Sequence, residues 1–158
     1  MLNRVVIICT GNICRSPMAE ILFRQKLAGS KVDCVSAGTH AMVGHPADEN
    51  VREVMTAHGL DASSHRSQQA TSQLLNWADL ILALDQTHVD WLNGVTLKAP
   101  HLRGRVFKLG KWNGNADVED PYRKPRSAFE RAYLEIDKYV DKWVEAMGGA
   151  PTAKSGRG

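Results

Sequence analysis

The stretch Val5-Val6-Ile7-Ile8-Cys9-Thr10-Gly11-Asn12-Ile13-Cys14-Arg15-Ser16-Pro17 decides how this chain is read. Its first four residues are β-branched and apolar without alternation, the pattern of a strand buried on both faces and so central in its sheet. Thr10-Gly11-Asn12 ends that strand. Ser16-Pro17 then offers an N-cap followed by a proline at the first helical position, with Glu20 in the first turn. Met18, Leu22, Phe23 and Leu27 repeat at helical spacing, which predicts a helix to about Ala28.

Outward from this core, Val32 to Ser36 is expected as a second strand broken by Ala37-Gly38-Thr39. Pro46, Asp48 and Glu49 open a helix with Val51, Val54 and Met55 inward, closed by Gly59. Ala78 to Leu84 and Arg105 to Leu109 read as the third and fourth strands. Ser127 with Glu130 makes a capping box for a last helix carrying Phe129, Tyr133, Ile136, Val140 and Trp143, ending near Met147. Strands alternating with helices predict an α/β fold: a three-layer α/β/α arrangement around a central four-stranded parallel sheet, with a phosphate-binding loop after the first strand.

The 158 residues are one domain's worth, and 43% hydrophobic with 23% charged side chains is an ordinary globular mixture. One domain is expected over residues 1–147, and a mobile tail over 148–158, which holds no large apolar side chain. Lys and Arg number 20 against 17 Asp and Glu, and Lys154 and Arg157 lie in that tail, so the body is nearly neutral. With no basic stripe interleaved with aromatics, no nucleic-acid partner is expected. No apolar run is long enough for membrane insertion, and no signal peptide is recognised, so the expected location is cytoplasmic. Cys9, Cys14 and Cys34 form an odd set without zinc-ligand spacing, and the histidines are scattered; no disulfide framework, metal or cofactor is expected.

The loop between first strand and first helix carries the chemistry. A glycine-containing strand-to-helix loop at the carboxyl end of a parallel sheet turns successive N–H groups inward as an anion cradle. The Lys and Ser/Thr of a nucleotide P-loop are missing; a cysteine begins the loop and an arginine ends it. Taken alone, Cys9 reads as a small apolar residue at a strand end. With Gly11, Arg15 and Ser16 at this spacing it reads as a nucleophile whose thiolate the helix N-terminus and Arg15 favour. Arg15 can hold two phosphoryl oxygens in its planar fork. The leaving oxygen needs a proton, and Asp120-Pro121-Tyr122 presents a carboxyl from a stiff loop.

The run Ile7 to Glu20 resembles the low-molecular-weight protein tyrosine phosphatases, whose loop is Cys, five residues, Arg, then Ser or Thr. Further matches are Val35-Ser36-Ala37-Gly38-Thr39, His58-Gly59-Leu60 leading to His65-Arg66, Ala78-Asp79-Leu80-Ile81-Leu82 and Asp120-Pro121-Tyr122-Arg123-Lys124. The resemblance implies Cys9 as nucleophile, Arg15 as phosphate clamp, Ser16 as donor to the thiolate and Asp120 as general acid and then base. It implies that Thr10, Gly11, Asn12, Ile13 and Cys14 line the substrate site, and that Asn12, Ser36 and His65 hold the loop from behind. Within the family the chain resembles the bacterial branch paired with tyrosine autokinases of capsule and exopolysaccharide export. There Met42 or Val43, with Tyr122, would shape the rim. A phosphotyrosine protein, such as an autokinase, is the implied partner, with Arg123 and Lys124 as rim charges.

Two related activities and one unrelated one compete. Arsenate reductases need two more cysteines in a mobile segment, which this chain lacks. Protein arginine phosphatases carry threonine at the position of Ile13 and phenylalanine at that of Tyr122. A thiol redox sensor could use Cys9 and Cys14, but would need neither Arg15 nor Asp120.

Overall fold

Arg4–Cys9 forms β1 in the middle of a four-stranded parallel sheet of order β2-β1-β3-β4, with β2 over Asp33–Gly38, β3 over Leu80–Ala83 and β4 over Val106–Lys108. The computed structural model describes residues 2–149. Every β1 side chain from Val5 to Cys9 is buried, as a strand covered on both faces requires. Val5, Ile7 and Cys9 face one layer with Met18, Phe23, Val54, Phe129 and Ile136. Val6 and Ile8 face the other with Ile81, Leu75 and Leu92. The first layer holds helices α1 (Arg15–Lys26), α2 (Glu49–Ala57) and α5 (Arg126–Ala146); the second holds α3 (Ser72–Trp77) and α4 (Gln86–Lys98). This is the expected three-layer α/β/α fold.

The chain leaves β1 for β2 on one side and returns to β3 on the other, so the carboxyl ends of β1 and β3 flank a topological switch point. Ligands of open α/β sheets bind at such crevices. Residues Cys9 to Arg15 lie there because β1 ends there.

Local details differ from the sequence expectation, each for a physical reason. β2 does not break at Ala37; it continues through Gly38, which pairs with Cys9. Glycine is required at that position, since a Cβ would run into the Thr10 carbonyl oxygen. Ser16 is not the N-cap of α1: the helix starts at Arg15 with no side-chain cap, because the Ser16 hydroxyl is engaged with Cys9. Ser127 and Glu130 form no capping box either. α5 begins at Arg126 behind Pro125 without a side-chain cap, and Glu130 instead lies 3.3 Å from His58 and 3.6 Å from Arg126. Of the tail expected from Gly148, residues 150–158 lie outside the described residues. Gly148 and Gly149 belong to the helix end: Gly148 has φ +84°, and the two N–H groups bond the carbonyls of Glu145 at 3.0 Å and Val144 at 2.8 Å. That is the left-handed closure that glycine favours.

α3 and α4 are the elements the sequence pattern did not mark. α4 is capped by Asp85, whose carboxylate accepts the Thr87 and His88 N–H groups, while the His88 ring accepts the Asp85 N–H. Histidine rather than Glu or Gln completes that box, and Gly94, a weak helix former, lies inside the continuous helix.

Candidate active site

The loop from Cys9 to Arg15 is tied along its length to neighbouring segments. The carbonyls of Cys9, Thr10 and Gly11 accept the N–H groups of Thr39 at 2.9 Å, His40 at 3.0 Å and Met42 at 3.1 Å. The segment after β2 is thereby stitched to the first half of the loop, which brings Met42 beside the pocket.

The turn itself is made at Asn12, with φ +59°. That left-handed conformation is costly for most side chains and persists only when the surroundings hold it. Here they do: Asn12 is fully buried, and its Nδ2 donates to Ser16 Oγ at 2.8 Å and Ser36 Oγ at 2.9 Å. Its Oδ1 accepts the Gln68 N–H at 2.9 Å, and its carbonyl accepts from His65 Nε2 and from the Ser67 hydroxyl, both at 2.7 Å. The Ser36 hydroxyl donates onward to Glu20 at 2.6 Å, so Glu20 serves the loop rather than the first turn of α1. Asn12, Ser36 and His65 are thus brought together, with Ser67, Gln68 and Glu20 added to what the sequence suggested. Asn12 was expected in the substrate site as well; its side chain instead points into this network, away from the pocket.

Cys9 lies at the base of the pocket with 2% exposure. Its Sγ is 2.8 Å from Ser16 Oγ. With Asn12 donating to that oxygen, the hydroxyl keeps its own proton available for the sulfur. Arg15, also 2% exposed, donates through Nη1 to Asp85 Oδ2 at 2.7 Å and to the Val118 carbonyl at 2.8 Å. Its Nη2 is 3.7 Å from Asp120 Oδ2. Burial alone would raise the Asp85 carboxyl, but the Thr87 hydroxyl and the Arg15 guanidinium hold it down at about 2. It is an anion at any ordinary pH, and it fixes Arg15 before any ligand arrives.

Asp120 is half exposed on the rim, oriented by the Tyr122 N–H, which donates to its Oδ1 at 3.1 Å. Thr10, Gly11, Ile13, Cys14, Met42 and Tyr122 line the same pocket. Met42 and Tyr122 are 36% and 38% exposed, an apolar rim; Val43 points outside it. His40 also lines the pocket, a residue the sequence did not single out. Nor did it mark Asp85 and His88. His88 is 1% exposed and meets Thr10 Oγ1 at 2.9 Å. The only available sign was that Asp85 follows the third strand at the carboxyl edge that also carries Cys9.

Burial, followed by the charge of Asp48, pushes the Cys14 thiol far up. Cys34, buried in β2, is likewise raised by burial. Among the described residues no group of three His, Cys, Asp or Glu side chains is placed to hold a metal ion, and no helix is long and apolar enough to cross a membrane.

A buried thiol facing a hydroxyl, a preset guanidinium and a rim carboxylate form a site suited to displacement on a dianionic phosphoryl group. Comparison with known proteins leads to the same place. Residues 4–151 match the family described as low molecular weight phosphotyrosine protein phosphatase. The probable low molecular weight protein-tyrosine-phosphatase EpsP of Ralstonia solanacearum is 45% identical over 144 residues, covering 91% of this chain and 95% of its own. The low molecular weight protein-tyrosine-phosphatase Etp of Escherichia coli K12 is 38% identical over 145 residues, 92% of this chain and 95% of its own. The structure of Vibrio vulnificus Wzb in complex with benzylphosphonate superposes with a TM-score of 0.85 at 36% identity, covering 92% of this chain and 99% of that one. With a family match over nearly its whole length and relatives aligned over more than nine-tenths of both chains, this chain belongs to the low molecular weight phosphotyrosine protein phosphatase family.

Proposed function

We propose that this protein hydrolyses phosphotyrosine in proteins through a cysteinyl-phosphate intermediate. The observation that carries the reading is the 2.8 Å contact between Cys9 Sγ and Ser16 Oγ, since a hydroxyl whose proton is free for the sulfur stabilises a thiolate. Cys9 attacks phosphorus in line while Asp120 protonates the phenolic oxygen, and Arg15 with the loop N–H groups holds the equatorial oxygens. Asp120, then a carboxylate, takes a proton from the water that cleaves the P–S bond.

Depth supports tyrosine. Cys9 is 2% exposed below a rim of Met42 and Tyr122, within reach of an aryl phosphate but not of the shorter phosphoserine. Vibrio Wzb, similar to this chain, binds benzylphosphonate, an aryl-bearing phosphonate. Turnover is favoured over a Cys9–Cys14 redox switch because the raised Cys14 thiol is a poor nucleophile.

The substrate we propose is a cytoplasmic tyrosine autokinase controlling exopolysaccharide production. Its tail would present several phosphotyrosines to the open rim. Lys124 is neutralised by Glu119 at 2.8 Å, so attraction for such a tail rests on Arg123, whose guanidinium lies 5.3 Å over the Tyr122 ring.

Turnover of phosphotyrosine, phosphoserine and phosphoarginine peptides by the wild-type protein and by Cys9→Ser tests the reading. Phosphotyrosine alone should be consumed at an appreciable rate, and Cys9→Ser should bind phosphate, stay folded and turn nothing over. A preference for phosphoarginine would move the protein to the arginine-phosphatase reading, and residual activity in Cys9→Ser would remove the nucleophile.

A further inference from the structure

Thr10 is the second residue of the phosphate-binding loop, and its hydroxyl is held by a buried ring. His88 Nε2 lies 2.9 Å from Thr10 Oγ1, and His88 Nδ1 lies 3.2 Å from the Asp85 backbone nitrogen. A backbone N–H can only donate, so Nδ1 is the unprotonated nitrogen of a neutral ring and Nε2 carries the hydrogen. Asp85 Oδ1, 3.3 Å from Nδ1, is already occupied by Thr87 N–H, Thr87 O–H and His88 N–H, which leaves the Asp85 N–H as the ring's partner. Burial, against the pull of Asp85, brings the ring down to about 4, so it stays neutral. The Thr10 oxygen therefore accepts from His88, and its own hydrogen is free for a ligand.

Thr10 lines the same pocket as Cys9 and Asp120, and Arg15, whose Nη2 faces Asp120 at 3.7 Å, is joined through Asp85 to the His88 ring that holds the Thr10 hydroxyl. The oriented hydroxyl thus stands on the Asp120 side, where the phenolic oxygen leaves and water must enter. Arg15 and the loop N–H groups are engaged with the equatorial oxygens, while Asp120, half exposed, takes the water's proton and leaves room for a second group that holds the water in line.

We propose that Thr10 is a catalytic residue of the hydrolytic half-reaction, donating a hydrogen bond to the water that attacks the phosphocysteine, and that His88 is the positioning residue which aims it. This rests on the cysteinyl-phosphate reading above. In the step, a water oxygen forms the new P–O bond and the P–S bond breaks. The electron pair returns to Cys9 as thiolate, and the water proton passes to the Asp120 carboxylate; Thr10 keeps its own proton throughout.

The test is pre-steady-state kinetics of the full chain with 4-nitrophenyl phosphate, whose leaving group departs without a proton, so that hydrolysis limits turnover. Wild type should show a burst of nitrophenolate and a trappable phosphocysteine. Thr10→Val should keep the burst rate and amplitude while the steady-state rate falls about tenfold, the scale of one hydrogen bond realised in a transition state. Thr10→Ser, which keeps the hydroxyl, should stay near wild type. His88→Gln, which can still place an N–H on Thr10, should retain more of the steady-state rate than His88→Leu, and Thr10→Val combined with His88→Leu should be no slower than Thr10→Val. Hydrolysis at the wild-type rate in Thr10→Val, or an equal loss of burst and steady-state rates, overturns the inference while leaving Cys9 as nucleophile. Absence of trapped phosphocysteine in wild type would bring down the Cys9 reading and this inference with it.

Discussion

Arg15 is held in place by Asp85, its Nη1 2.7 Å from Oδ2 of a carboxylate that also caps α4 through its other oxygen. One side chain thus joins the helix of one layer to the Arg15 guanidinium of the other. Asp85→Asn should leave the buried Arg15 charge with the Val118 carbonyl at 2.8 Å and the half-exposed Asp120 carboxylate at 3.7 Å, at a cost of about 3 kcal/mol in stability. It should also lower the turnover rate, since Arg15 is no longer preset. With one negative charge gone, inorganic phosphate should inhibit the variant more tightly than the wild type. Unchanged kcat together with an unchanged inhibition constant would show that Arg15 keeps its pose without Asp85.

Asp120 is the carboxylate on the open side of the pocket, 3.7 Å from Arg15 Nη2. Asp120→Ala should lower the rate about 10²- to 10⁴-fold for aryl phosphates with poor leaving groups. The loss in the phosphorylation step should shrink for 4-nitrophenyl phosphate. Equal losses in that step across a leaving-group series would mean that Asp120 only shapes the loop.

Asn12 combines a left-handed backbone, φ +59°, with three side-chain hydrogen bonds, and the two contributions separate by substitution. Asn12→Ala should lose about 2–4 kcal/mol, since buried partners are left unpaired. Asn12→Gly should recover about 1 kcal/mol of that by relieving the backbone. Both should be equally poor enzymes, because Ser16 and Ser36 have lost the Asn12 amide that ties them to the loop. Urea denaturation beside kcat decides it: a glycine variant with wild-type activity would show that backbone conformation, not the hydrogen bonds, sets up the loop.

His88 predicts a pH dependence of stability. Its folded-state value near 4 lies below the ordinary 6.5, so between those limits the unfolded chain takes up a proton that the folded one refuses. Its contribution is whole above pH 6.5 and is lost progressively as pH falls to 4. Asp85, at about 2 against an ordinary 3.8, adds a lower window: its contribution is present above 3.8 and lost as pH falls towards 2. Urea midpoints should therefore decline on acidification from neutrality, and His88→Gln should flatten the upper part of that decline. An identical slope in wild type and variant would exclude the ring as its source.

The sequence by itself determined the parts of this protein whose physics is local. Val5 to Ile8 must be buried on both faces, a strand-turn-helix with Gly11 and Arg15 must gather N–H groups at the strand's end, and Phe129, Tyr133, Ile136 and Val140 must lie along one side of a helix. From these followed the layered architecture and the loop at the end of the first strand, while most of the residues expected around the pocket came from the family resemblance. Only the tertiary structure decided which partners those residues meet. Ser16 looked like a helix cap because its neighbours along the chain suit a cap; folding gives its hydroxyl to Cys9 at 2.8 Å, a contact made by the sharp turn at Asn12. That turn is held by Ser36, His65, Ser67 and Gln68, from two later segments whose spacing carries no periodic signal. Asp85 and His88, 70 or more residues beyond Arg15 and Thr10 in the chain, reach the loop only because β3 lies beside β1 in the sheet. Charge pairing and hydrogen bonding act over a few ångströms of space and not along sequence, so strand order, rather than any motif, supplied the groups that orient the site.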